Sequence, residues 1–109
     1  MDTLFLDDFR KTIETSAEKL LRMSEKQSEI SGGQGKWSPK EIIGHLIDSA
    51  ANNHQRFVRA QFKDDLIFPG YDQDQWVSSQ QYNAVSWEAL IELWKRYNLH
   101  LLHVMASIP

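Results

Sequence analysis

Three features of the sequence predict an all-α fold. Apolar residues recur at spacings of three and four through three long stretches, helix-capping patterns open two of them, and no stretch alternates with period two over the length of a strand. No internal repeat or low-complexity segment interrupts the chain. With 109 residues, 41% of them hydrophobic and 25% charged, one compact domain with its own core is expected.

The first helix is predicted from about Thr3 to Ser24. Phe5, Phe9, Ile13, Ala17 and Leu20 form its apolar stripe, and Asp8, Arg10, Lys11, Glu14 and Glu18 fall between them. The Gly-rich "SGGQGK" of residues 31–36 ends that pattern as a turn. It lacks the preceding strand and the GKS or GKT ending of a phosphate-binding loop, since Trp37 follows Lys36.

The second helix starts at a well-defined signal. Ser38 can cap it, Pro39 suits the first helical position and Glu41 completes an S-x-x-E capping box, and the helix should run to about Phe62. Residues 63–85 read as a turn followed by a short irregular or helical piece, because "KDDLIFPGYDQDQW" holds Pro69, Gly70 and four aspartates. Asp72 and Asp74 resemble the start of a calcium loop, but its glycine and closing glutamate are absent. A third helix is capped by Ser86 and extends to about Ser107, with Trp87, Leu90, Trp94, Tyr97, Leu101, Val104 and Ile108 on its core face.

Composition narrows the function. Twelve Lys and Arg against fifteen Asp and Glu give a net charge of −3, without the basic excess that nucleic-acid binding uses. The absence of cysteine excludes disulfides, thiolate metal sites and a Cys nucleophile. "MDTLFLDDFRK" carries three aspartates and only three consecutive apolar residues, so neither a signal peptide nor a membrane span is expected, and the cytoplasm is the expected location. No G-x-S-x-G elbow is present, and the adjacent Asp64 and Asp65 read as solvated loop carboxylates.

The candidate site lies on the second helix. Ile42, Ile43, Leu46, Ile47, Ala50, Phe57 and Val58 fill one apolar arc. His45, Ser49, Asn52 and Arg56 follow one border of it at i, i+4, i+7 and i+11, and Asp48 and Arg59 are expected further out towards solvent. A polar stripe at such a border points into any cleft between packed helices. Two readings of His45 stay open from spacing alone: a half-buried packing residue, or a ligand in a site. His54 falls nearer the middle of the arc and reads as a core or loop-anchoring residue. His100 and His103 form an i, i+3 pair off the core face of the third helix, where they read as solvent-exposed, with a metal-ligand pair as the other reading. Trp37 and Trp76, with Arg56, could wall a small-molecule pocket; at helical spacing or beside a cap, tryptophans more often anchor a core.

Taken together, "GKWSPKEIIGHLIDSA" with Asn52, Asn53 and Arg56 after it, "PGYDQDQW", and "WEALIELWKRYNLHLLHVMASIP" resemble the DinB/YfiT-like superfamily over essentially the whole chain. The resemblance implies an up-down-down-up, left-handed four-helix bundle that holds a divalent metal (Zn, Ni, Fe or Mn) on three histidines. The histidine of the G-H-L motif corresponds to His45. The other two lie four residues apart on a fourth helix, beyond the segment matched here, and His100 and His103 have neither that helix nor that spacing. The chain therefore looks like the first two-thirds of such a protein. The activity implied is a metal-dependent transferase using low-molecular-weight thiols such as bacillithiol and mycothiol, or a hydrolase, in which a coordinated thiol or water loses its proton near neutral pH. Asn52 and Arg56 could orient an anionic substrate there, and Arg56 reads equally well as a structural cross-link. An uncovered apolar face is expected to make the chain self-associate, as a homodimer. The alternative is a metal-free helical module that binds a partner through the same face.

Overall fold

A computed structural model of the chain describes residues 3–62 and 70–109. Asp64, Asp65 and Pro69 lie outside the described residues. Within them the fold is all-helical: α1 (Thr3–Leu20), α2 (Glu25–Ser28), α3 (Pro39–Arg59), α4 (Gln73–Gln80), a 3-10 turn at Tyr82–Ala84, and α5 (Trp87–Ala106). No helix among the described residues is long and apolar enough to cross a membrane.

The start of α3 follows the sequence signal. The Ser38 hydroxyl accepts from the Glu41 amide at 3.2 Å, and the Glu41 carboxylate accepts from the Ser38 amide at 3.0 Å. Ser86 caps α5 in the simpler way, accepting from the Ala89 amide at 3.0 Å. Two boundaries differ from expectation. The first helix ends at Leu20 rather than Ser24, because Ser24 builds a capping box of its own with Gln27 and opens the separate turn α2. The second helix ends at Arg59 rather than Phe62.

Helix α5 packs against both α1 and α3, and these are the two most extensive helix pairings. Its buried face is accordingly wider than a heptad stripe. Ile91 and Leu102 are buried along with Trp87, Leu90 and Leu101, whereas Ile108, expected on the core face, lies beyond the helix and is exposed. The central cluster joins Ala17 of α1, Ile43 and Ile47 of α3, Val77 of α4, Tyr82, and Trp87, Leu90 and Ile91 of α5. Phe5, Ile42 and Leu46 were expected in apolar stripes facing the core, but all three are exposed. The buried apolar positions of these helices are instead Ile13 and Ala17 of α1 and Ile43, Ile47 and Ala50 of α3.

A polar hub ties the helix starts together. Lys40 is only 1% exposed, and its Nζ lies 3.0 Å from a Glu29 oxygen, 3.4 Å from a Glu25 oxygen and 3.2 Å from the Asn83 carbonyl. Glu25 also accepts from the Trp87 backbone N–H at 2.8 Å, and this bond, followed by the Lys40 charge, holds its carboxyl below the usual carboxylate range. The Trp87 indole N–H donates to the Leu20 carbonyl at 2.8 Å, so one tryptophan closes the end of α1 and packs the core.

Candidate functional site

Helix α3 carries every polar group of the predicted stripe, and its neighbours give them different partners. His45 is half-buried and its ring lies against Trp37, with centroids 5.2 Å apart. Its Nδ1 is buried and makes no hydrogen bond to the described residues. An imidazole nitrogen in that position has lost water without gaining a partner, a condition that native folds largely avoid.

One turn on, the Ser49 hydroxyl shares a 3.0 Å hydrogen bond with the Tyr71 hydroxyl, and the Tyr71 ring meets Trp76 edge-on at 5.2 Å. Trp37 and Trp76 therefore stand at successive positions of the stripe, one on His45 and the other reached through Tyr71 and Ser49. Asn52 donates its amide to the Asp48 carbonyl at 2.8 Å, a bond within its own helix, so this side chain braces α3. Arg56 is half-buried on the same helix and is also engaged with a neighbour.

Asp48 corrects the sequence reading most. Expected near solvent, it is 2% exposed. Its Oδ1 accepts from the Tyr82 hydroxyl at 2.5 Å and from the Gln80 side-chain amide at 2.8 Å, whereas Oδ2 is buried with no partner among the described residues. Burial, followed by the hydrogen bond to Asp48 and its negative charge, pushes the Tyr82 phenol well above the usual tyrosine range. Tyr82 reaches Asp48 by lying across Gly44. A Cβ built on Gly44 would sit 2.1 Å from Cδ2 of that ring. Gln80, Tyr82 and Tyr71 have no role in the sequence reading, which places Asp48 towards solvent. The available signal was Gly44, a glycine inside a strongly patterned helix, which commonly marks a close approach.

The remaining histidines form a second group. His54 of α3 shares a 2.9 Å hydrogen bond with the Tyr97 hydroxyl of α5 and stands edge-on to His100 at 5.2 Å; His100 is 6.1 Å from His103. Among the described residues, no group of three His, Cys, Asp or Glu side chains could hold a metal ion.

No family model, curated protein or solved structure matches this chain.

Proposed function

We propose that the chain is a DinB/YfiT-like bundle in which His45 serves a metal-dependent centre, and that the reaction is transfer to or from a low-molecular-weight thiol, or a hydrolysis. The described residues alone do not fit a metal ion, since they bring one imidazole to this position. The remaining ligands are proposed to come from outside them. One observation carries the reading: Nδ1 of His45 is buried and unpartnered, which costs stability and is the expense expected of a functional group rather than of a packing residue.

The test is the stability of His45→Leu in metal-free protein. Replacing an orphaned imidazole by an apolar side chain of similar reach is expected to stabilise by about 1 kcal/mol. That corresponds to a rise in Tm of about 4–8 °C for a domain of this size. A fall in Tm would assign His45 a structural role and remove the metal reading.

A second reading, the metal-free self-associating module, is favoured by a different observation. Ile42 and Leu46, one turn apart on α3, are 46% and 39% exposed beside His45. Wild-type protein is then expected to dimerise at micromolar concentration in sedimentation, and Leu46→Glu to be monomeric. A monodisperse wild-type monomer would exclude this module.

A further inference from the structure

We infer that Asp48 is a positioning residue for His45: its buried carboxylate keeps the imidazole proton on Nδ1, so that Nε2 is the nitrogen offered to a ligand. The use made of that nitrogen rests on the His45 reading above, whereas the place of the proton is a property of this chain alone.

Among the described residues, Nδ1 of His45 and Oδ2 of Asp48 are the two buried side-chain polar atoms without a hydrogen bond. They belong to residues three apart in α3, a spacing that sets the two Cβ atoms about 5–6 Å from one another. A carboxylate charge therefore stands one helical turn from a buried ring nitrogen, where little water screens it. Nε2, which also makes no hydrogen bond to the described residues, is not buried, so it is the nitrogen open to a ligand. Glu41, one turn before His45, is turned back to the Ser38 amide, which leaves Asp48 as the buried carboxylate of this stretch.

The charge decides between the two tautomers. A neutral imidazole has one N–H and one lone pair, and a nearby anion favours the N–H on its own side. Oδ2 makes no hydrogen bond to Nδ1, so the carboxylate acts through its field. When Nε2 takes a cation, the Nδ1 proton gains positive character and the same charge stabilises it, as carboxylates do behind ligating histidines. Tyr82 and Gln80 fix the carboxylate for this role. Both donate to Oδ1, at 2.5 and 2.8 Å, and Oδ2 is left to His45. Through this one side chain, the packing of α4 and the 3-10 turn on α3 reaches the imidazole.

Asp48→Asn tests the assignment. The two donors hold the amide oxygen in the place of Oδ1, so the NH2 group takes the place of Oδ2. The substitution thus removes the charge and presents a donor, which favours a lone pair on Nδ1. Two-bond ¹H–¹⁵N spectra of the metal-free 109-residue chain, recorded at about pH 8.5 where free imidazoles are neutral, read the tautomer directly. Wild type is expected to show His45 mainly as Nδ1–H, and Asp48→Asn mainly as Nε2–H, with the ¹⁵N resonance of Nδ1 moving from the protonated to the unprotonated region. Tyr82→Phe disturbs the same network but keeps the charge, and should keep the wild-type tautomer. A His45 that is mainly Nε2–H in wild type, one tautomer shared by wild type and Asp48→Asn, or an equal change in Tyr82→Phe would overturn the assignment. Loss of the metal reading through His45→Leu leaves these spectra as they are, so the two failures are distinguishable.

Discussion

Gly44→Ala is expected to destabilise the protein by about 2–3 kcal/mol, although the substitution favours helix formation by about 1 kcal/mol at an unobstructed position. The sign is set by Tyr82. A Cβ at Gly44 would meet three carbons of that ring, at 2.1, 2.3 and 2.5 Å, distances that real contacts do not reach. The obstacle is a flat aromatic ring with little room to yield. Its hydroxyl is held by Asp48, and its backbone forms the 3-10 turn that leads into α5. Moving the ring aside breaks the first contact and strains the second, so the cost belongs at the upper end of the range for overpacking. Thermal melts should show Tm lower by about 10–20 °C. In a Tyr82→Ala background the obstacle is gone and Gly44→Ala should become neutral or stabilising; this reversal is a coupling that a generic helix effect cannot produce. A neutral Gly44→Ala in the wild-type background would mean that Tyr82 does not lie on the helix.

Those same residues show where sequence reading stops. Local patterns were enough for the all-helical class, the start of α3 at Ser38–Pro39–Glu41 and the start of α5 at Ser86, because each depends on side chains within three positions of one another. The place of Asp48 depends on Tyr82, 34 positions away, and no periodicity within α3 reports that distance. Helical projection placed Asp48 outward because it saw α3 alone. The 3-10 turn and α4 then covered that side of the helix with Tyr82, Gln80 and Val77. Similarly, the wide buried face of α5 follows from its packing against two helices, whereas a heptad stripe assumes one partner. In the candidate site, the register of His45, Ser49, Asn52 and Arg56 was legible. Their separate partners were not: Trp37 for His45, Tyr71 for Ser49 and the backbone of its own helix for Asn52. His54 and His100, 46 positions apart, could be paired only after α3 had met α5.

Asp48→Ala should cost about 3 kcal/mol, and Asp48→Asn less than about 1 kcal/mol. Alanine leaves the buried Tyr82 hydroxyl without its acceptor and removes the charge-assisted bond from Gln80, two losses in one pocket. Asparagine keeps a carbonyl oxygen for both donors and removes a buried negative charge whose second oxygen has no partner, so its gain and its loss nearly offset. Denaturant titrations at neutral pH measure both, and an alanine cost within about 0.5 kcal/mol would make the network irrelevant to stability. The pH dependence gives an independent check with a fixed sign. Because the folded state holds the Tyr82 phenol above its ordinary value, its contribution is fully present below about pH 10 and is lost as the pH rises further. Burial is the larger cause and survives in Asp48→Asn, whereas the contribution of the Asp48 charge does not. Tyrosinate absorbance should therefore show one phenol ionising at lower pH in Asp48→Asn than in wild type, yet still above the ordinary range, and Tyr82→Phe should remove that phenol altogether. An unchanged titration in Asp48→Asn would mean that the carboxylate and the phenol are not in contact, and the covering of α3 by the 3-10 turn would then need a different geometry.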